Sequence, residues 1–521
     1  MPELHWLGDG EAKREARRVP YRLLTPVEQV GDPAAQNLLI QGDNLEALKA
    51  LLPFYAGRVK CIFIDPPYNT KSAFEHYDDN LEHSQWLSMM YPRLELLRDL
   101  LSEDGCIWVT IDDNEAHYLK VVMDEVFGRR NFVISFAWEK DKGRRNDTDV
   151  SSAHDHVLLF SRQRKTWASV RNLLPRTDDQ NRRYKNPDND PRGPWLQGDN
   201  GTAKSGSDSL RYEITLPSGR VVVPPSGNYW RFSEETFRQA LSDSRVYFGR
   251  KGDSLPVIKR FLTDVQDGVV PRSWWPAELA GSNQSAKRDH LRKLLPDIEP
   301  FATPKPEELV RLALHIGTNN GDVVLDSFLG SGTTAAVAHK MGRRYIGIEM
   351  GEHAVTHCMP RLRKVIEGEQ GGVSDAVGWT GGGGFRFMRL GEPVFREDGC
   401  INPAVRFDTL ASYLWFLETG TPHSTGAFTT PLLGMMGGEP NEVGVTKPRT
   451  ALILLYNGIL GDRRPQAGNV LTTAIWNGIL AQLPPHDGPR VIYGEACRLS
   501  RERLKALRVT FKQIPHEIRM R

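Results

Sequence analysis

Asp65-Pro66-Pro67-Tyr68 sits within CIFIDPPYNT (residues 61–70) and brings three kinds of chemical group into four residues. The carboxylate of Asp65 and the carbonyl of Pro66 are acceptors, and the prolines fix φ and remove N–H donors, so both are held rigidly. Side by side they accept two N–H bonds from one planar NH2 group. The ring of Tyr68 offers a stacking face to a flat heterocycle. Together these groups would polarise an exocyclic amine, whose lone pair is otherwise delocalised into its ring, toward nucleophilic attack. For the tetrapeptide alone, a proline-stiffened loop without a ligand is the competing explanation.

A second run, DSFLGSGTT (326–334), follows an apolar strand and opens a helix. Its glycines let the turn approach a ligand closely, and the helix start offers free N–H groups. A Walker A loop requires Lys after its last glycine, whereas Thr333 follows Gly332; a GxGxxG turn fails because position 335 is Ala. Glu349 ends the next strand, RRYIGIE, at a distance that suits binding of ribose hydroxyls. Alone, it reads equally as a solvated strand-end charge.

The elements that must position these residues alternate. Short apolar runs (NLLI, CIFI, CIWVTI, VVLD, YIGI) are separated by amphipathic stretches, as in an α/β protein with a mostly parallel sheet. Between 139 and 295 the periodicity weakens, Arg, Lys, Asn, Gly and Pro become frequent, and aromatics are interleaved. The stretch EGEQGGVSDAVGWTGGGG reads as a surface link, and the first 36 residues, charged and proline-punctuated, as an arm. With 521 residues the chain exceeds one ordinary core. A net charge of +2 gives no overall nucleic-acid signature. Cysteines at 61, 106, 358, 400 and 497 form no CxxC pair, so a reduced compartment is expected, without disulfides or a zinc site. No metal-ligating residues stand out. The absence of a long apolar run or leader suits a cytoplasmic protein.

DPPY and the Phe328-x-Gly330-x-Gly332 run resemble the catalytic motif and S-adenosylmethionine loop of amino-directed DNA methyltransferases. The catalytic motif comes first, with residues 69–325 between; that order resembles the permuted β class. IQGDNLEAL, DPPYNT, WVTIDDNE, FGRRNF, GSNQSAK and FATPKPEEL resemble modification (Mod) subunits of type III restriction systems and their solitary relatives, over about residues 35–395. The resemblance implies a circularly permuted, Rossmann-like methyltransferase core (37–138 and 296–395), a target-recognition region (139–295) and a C-terminal α/β accessory domain (400–521).

By the same resemblance Asp65, Pro66, Pro67 and Tyr68 are catalytic. Asp43 contacts the adenine side of the cofactor S-adenosyl-L-methionine, and Thr303, Lys305 and Pro306 sit near its methionine end. Asp326, Phe328, Gly330, Ser331, Gly332, Thr333 and Thr334 cradle it, and Glu349 binds its ribose. Asp43 also reads as a helix-start residue, and Lys305 as a surface lysine before a helix. Asp112 and Asp113 are assigned loop-ordering roles. Arg144, Arg145, Arg162, Arg182, Arg183, Lys185 and Arg231 are candidates for DNA contact, against the alternative of a solvated basic face. The implied reaction is methylation of the exocyclic N6 of a flipped adenine in double-stranded DNA, within restriction-modification. N4-cytosine methylation and a DNA-recognition scaffold are the alternatives. A second copy of the chain or a restriction (nuclease/helicase) subunit would be the protein partner.

Overall fold

The computed structural model describes residues 3–69, 83–144, 149–197, 201–265, 268–299, 301–395, 401–423, 428–437, 448–457, 464, 468–482 and 486–514. They divide into two compact units, Met1–Asn172 with Arg272–Arg521, and Leu173–Pro271.

The larger unit is built on a ten-stranded sheet. In chain order its strands are β1 (Arg22–Gly31), β2 (Leu38–Gln41), β3 (Val59–Ile64), β4 (Leu101–Ile111), β5 (Phe132–Glu139), β6 (His154–Ser161), β7 (Trp274–Trp275), β8 (Val323–Asp326), β9 (Arg344–Glu349) and β10 (Gly384–Pro393). Across the sheet they lie in the order β1-β10-β2-β9-β8-β3-β4-β6-β5-β7. From β10 to β4 every neighbour is parallel. At the flanks β1 runs antiparallel to β10, and β6 runs antiparallel to both β4 and β5. Among the helices of this unit are α1 (Asp9–Arg18), α2 (Asn44–Tyr55), α3 (His83–Leu100), α4 (Ala116–Met123), α5 (Glu307–Gly317), α6 (Thr333–Lys340), α7 (Met359–Ile366) and α8 (Phe407–Thr419).

Central parallel strands covered on both faces read as unbroken apolar runs, and so it is here. Cys61, Ile62, Phe63 and Ile64 of β3 and Val323 to Asp326 of β8 are buried. Each large apolar side chain buried this way contributes about 1.5–3 kcal/mol. β3 crosses by α3 to β4 on one side, while β8 crosses by α6 to β9 on the other. The chain therefore reverses its winding between the adjacent strands β8 and β3. Open α/β sheets bind ligands at the carboxyl ends of such a pair.

The first 36 residues differ from the expected arm. Ala12 and Ala16 of α1 are buried, Lys49 Nζ of α2 donates to Ala16 O at 2.8 Å, and β1 pairs along its length with β10. The sparse hydrophobicity of β1 reflects its edge position, where Pro26 and two register shifts discourage further pairing. The smaller compact unit, Leu173–Pro271, is narrower than the 139–295 expected for target recognition. Residues 139–172 and 272–295 belong to the larger unit, because β6 hydrogen-bonds to β4 and β7 to β5.

The smaller unit has two- and three-stranded sheets and a small core that includes Ile214, Leu216, Trp230 and Phe237. Lys259 and Asp190 form a buried pair at 2.7 Å, and Arg192 grips the same carboxylate at 2.9 Å. The C-terminal residues make a four-stranded sheet of β11 (Leu432–Met436), β12 (Thr450–Leu454), β13 (Arg490–Gly494) and β14 (Val509–Gln513). It shares a hydrophobic cluster with the main sheet: Tyr413 of α8 meets Tyr21 edge-on at 4.6 Å, and Leu414 is buried. In the stretch SYLWFLETG, Tyr413 and Leu414 are thus core, and Trp415, Phe416 and Leu417 pack half-buried against it.

Candidate active site

β3 ends at Ile64 and the chain leaves the sheet through Asp65. Thr110 Oγ1 of the neighbouring β4 donates to Asp65 Oδ1 at 2.5 Å, and Lys305 Nζ pairs with Oδ2 at 2.5 Å. The same ammonium lies 5.0 Å from the centre of the Tyr68 ring. Lys305 is thus a buried ion-pair partner of Asp65 rather than a surface lysine. It presents N–H donors to the carboxylate and ring that the sequence assigns to an amine. Burial first, and the charge of Asp65 second, push the Tyr68 phenol well above its ordinary value, so the ring stays neutral.

The rest of the loop is fixed from outside. Trp86 Nε1 donates to Pro67 O at 2.7 Å. Asn69 adopts φ 57°, a left-handed conformation that Asn tolerates better than most residues, and its Nδ2 donates to Glu115 Oε1 at 2.7 Å. Glu115, buried at the start of α4, also lies 2.8 Å from His83 Nδ1. It therefore ties both margins of residues 70–82.

The glycine turn lies at the end of β8, one strand away. Gly330 and Gly332 have φ 56° and 82°. A Cβ on Gly330 would lie 3.1 Å from the Phe301 ring, and one on Gly332 would lie 3.3 Å from Cys358 Cα, so a side chain at either position would be strained by the backbone and crowded by its neighbour. Glu349 Oε2 accepts from Gly330 N at 2.7 Å, and Asp326 Oδ1 from Phe328 N at 2.9 Å. Ser331, Thr333 and Thr334 are buried, and Thr333 Oγ1 donates to Lys305 O at 3.2 Å. The turn and the Asp65 partner are thereby linked. Thr303 is exposed and Pro306 buried on the segment leading into α5.

Burial, reinforced by the charges of Asp65 and Glu349, pushes the Asp326 carboxyl up from 3.8 to about 7. An unfolded chain ionises this group above 3.8, whereas the folded one keeps its proton until about 7. The native state then binds the extra proton, so stability falls as pH rises between these values. Asp326→Asn should flatten that slope, read from urea midpoints at pH 5, 6 and 7. An unchanged slope would refute it.

Asp43 caps α2: its Oδ1 accepts from Leu45 N at 2.8 Å and Glu46 N at 3.2 Å, and Arg93 Nη2 lies 3.3 Å from Oδ2. The helix-start reading of this residue therefore holds. Next to it Asn44 Nδ2 donates to Ser327 O at 2.7 Å, tying α2 to the glycine turn.

Sequence reasoning missed the support beneath the turn. Arg361, buried on α7, donates from Nη1 to Thr333 Oγ1 at 2.8 Å and Ser331 O at 3.3 Å, and from Nη2 to Glu307 Oε1 at 2.8 Å. Lys340 Nζ holds Glu307 Oε2 at 2.8 Å and also pairs with Glu369. Nearby charges outweigh burial and hold Glu307 below the usual carboxylate range; Glu369 is brought down to about 2 by the hydrogen bonds of His290 and Lys340. The glycine-rich stretch expected as a surface link instead caps this network: Val373 N donates to Glu307 Oε2 at 3.1 Å, and Ser374 is buried. Glycine content masked it, because the glycines provide close approach rather than flexibility.

The DNA candidates divide. Arg162 donates to Arg98 O at 3.0 Å, and its N–H bonds Gly105 O, at the start of β4 and away from the end that carries Asp65. That position removes it from the candidate surface. Arg144 is exposed on the chain after β5, and Arg145 lies outside the described residues. Arg182, Arg183, Lys185 and Arg231 are exposed on the smaller unit; Arg182 pairs with Asp179 at 3.2 Å, and Arg231 Nε donates to Thr202 O at 3.2 Å. Asp112 caps its own turn by accepting from Asn114 N at 3.0 Å, and Asp113 lies 2.8 Å from His156 Nε2.

The chain is similar in sequence to proteins already characterised by name. The chain is 32% identical over 411 residues to the probable type III restriction-modification enzyme HindVI Mod subunit of Haemophilus influenzae, covering 69% of this chain and 54% of that one. With the StyLTI Mod subunit of Salmonella typhimurium it shares 32% over 372 residues, 64% of this chain and 55% of the other. With the EcoP15I Mod subunit of Escherichia coli the identity is 28% over 411 residues, 66% and 62% respectively. The chain thus spans little more than half the length of the first two. Residues 59–359, from the start of β3 past the glycine turn and Glu349, match the family model described as DNA methylase (N6_N4_Mtase). By that match over more than half its length, the chain belongs to the DNA methylase family.

Proposed function

We propose that the chain transfers a methyl group from S-adenosyl-L-methionine to the exocyclic N6 of an adenine in double-stranded DNA, as a modification enzyme of a restriction-modification system. The observation that carries this reading is the position of Asp65 and Tyr68 at the end of β3, one strand from the glycine turn of β8, where the sheet reverses its winding. The cofactor fits the donor set. Asp326 and Glu349 bring carboxyl groups to the turn that can accept from the hydroxyl and ammonium groups of the cofactor, and the buried Ser327 Oγ has no partner among the described residues. When bound, the cofactor supplies an electrophilic methyl group.

The chain's own residues do the rest. A base must leave the duplex stack to reach them. Tyr68 stacks on the extruded base. Asp65 and Pro66 O accept the two amine N–H bonds, drawing the nitrogen lone pair out of the ring. Lys305 must first release Asp65 Oδ2, since the ammonium holds that acceptor. As the nitrogen gains positive charge, Asp65 faces the N–H that becomes acidic. Aspartate ahead of Pro-Pro-Tyr favours adenine N6 over cytosine N4 by family resemblance.

Arg144, Arg145, Arg182, Arg183, Lys185 and Arg231 supply phosphate contacts in this reading. The relatives' names, Mod subunits of type III enzymes, make a restriction subunit or a second copy the protein partner to test. Single-molecule sequencing of DNA from cells expressing the chain should reveal N6-methyladenine at one short sequence. Finding only N4-methylcytosine would overturn the target, and finding no modification with cofactor bound would favour a scaffold.

A further inference from the structure

Beside Asp65, the carboxyl end of β4 carries a second cluster that methyl transfer does not use. His154 and His156 stand two apart on β6, so both project from one face of the strand. Their rings are 5.3 Å apart at 70°. Asp113, just past β4, brings Oδ1 to 2.8 Å from His156 Nε2, and the ring of His117, from α4, lies 6.1 Å from that of His156. One ligand atom from each of Asp113, His154 and His156 lies within 4.8 Å of the others.

We propose that Asp113, His154 and His156 form a binding site for a divalent transition-metal ion of the zinc type. Two imidazoles and one carboxylate are borderline ligands that suit zinc, cobalt or nickel better than magnesium or calcium. In a tetrahedral zinc site the ligand atoms stand about 3.4 Å apart, given bonds near 2.0–2.1 Å. The β4–β6 pairing fixes the strand that carries both histidines, with His156 opposite Ile111. Ser135 Oγ stands 3.4 Å from His156 Nδ1, where it can orient the ring. Asp113 is two-thirds exposed, which gives the ion an entry path. Three ligands leave a position open, and His117 is the nearest further imidazole.

The metal site does not depend on the reaction proposed above. The test is titration of the untagged full-length chain with Co2+ alone, followed by its visible d–d absorption, and displacement by Zn2+. One equivalent should bind with an imidazole-type band. Asp113→Ala, His154→Ala and His156→Ala should each raise the Kd at least about tenfold. A wild-type chain with no saturable band overturns the site. So does equal binding by wild type and the His154→Ala/His156→Ala double variant, with circular dichroism confirming that both are folded. Because Asp113 is exposed, its variant tests the site even if a strand histidine proves necessary for folding.

Discussion

Asp65→Ala is expected to lower the rate of methyl transfer by about 10²–10⁴-fold while leaving cofactor binding in place. An acceptor aimed at charge developing on the reacting nitrogen is worth that much in a partly dehydrated site. The substitution also strips Lys305 of its partner and leaves a buried ammonium, at a cost of about 1–3 kcal/mol. The two effects separate in Asp65→Ala/Lys305→Met, which removes the stranded charge together with the acceptor. The double variant should melt closer to wild type than the single one and be no more active. Rates come from single-turnover transfer of labelled methyl groups to DNA, and stability from thermal melts. A single variant within tenfold of wild type would sink the catalytic assignment of Asp65.

Arg361→Met should produce the largest loss of stability. Arg361 lies beneath the glycine turn, is 1% exposed and joins Ser331 and Thr333 to Glu307. Removing one partner of a buried ion pair costs about 3–5 kcal/mol, since the remaining charge stays buried. Glu307 would keep Lys340, but the hydroxyl of Thr333 and the carbonyl of Ser331 would lose their donor. Cofactor affinity should therefore fall along with the urea midpoint. Arg361→Lys restores the charge but lacks the planar fork, so it should recover stability only in part. The companion pH effect has the opposite sign to that of Asp326. Glu369, brought down to about 2 from 4.5, contributes stability that is fully present above 4.5 and fades as pH falls toward 2. A urea midpoint for Arg361→Met equal to that of wild type would show that the network does not support the turn.

Much of the chemistry was legible in the linear chain because it resides in contiguous motifs. DPPY sets acceptors, rigidity and a ring within four residues, and the Phe328 to Gly332 run sets a close turn at a helix start. Alternating apolar runs gave the α/β class for the same reason, since burial on both faces leaves a local trace. What the linear chain left unread concerns residues whose partners are distant. Lys305 meets Asp65 across 240 positions, and Arg361 meets Glu307 across 54. Charge in those stretches reads as surface because composition cannot reveal a buried partner. Edge position likewise hid β1, whose exposed residues carry no strand periodicity.

By itself, the sequence determined which groups can react: an acid and a carbonyl beside an aromatic ring, and a glycine turn able to approach a ligand closely. The tertiary structure alone decided that these two segments lie on adjacent strands. The crossovers from β3 and β8 run in opposite directions and open the crevice between them, a property of strand order that no local pattern encodes. It also decided the state of the acid. Asp65 carries a hydroxyl from β4 on one oxygen and an ammonium from the segment before α5 on the other. Such pairing depends on the long-range approach of elements that only the packed core brings together.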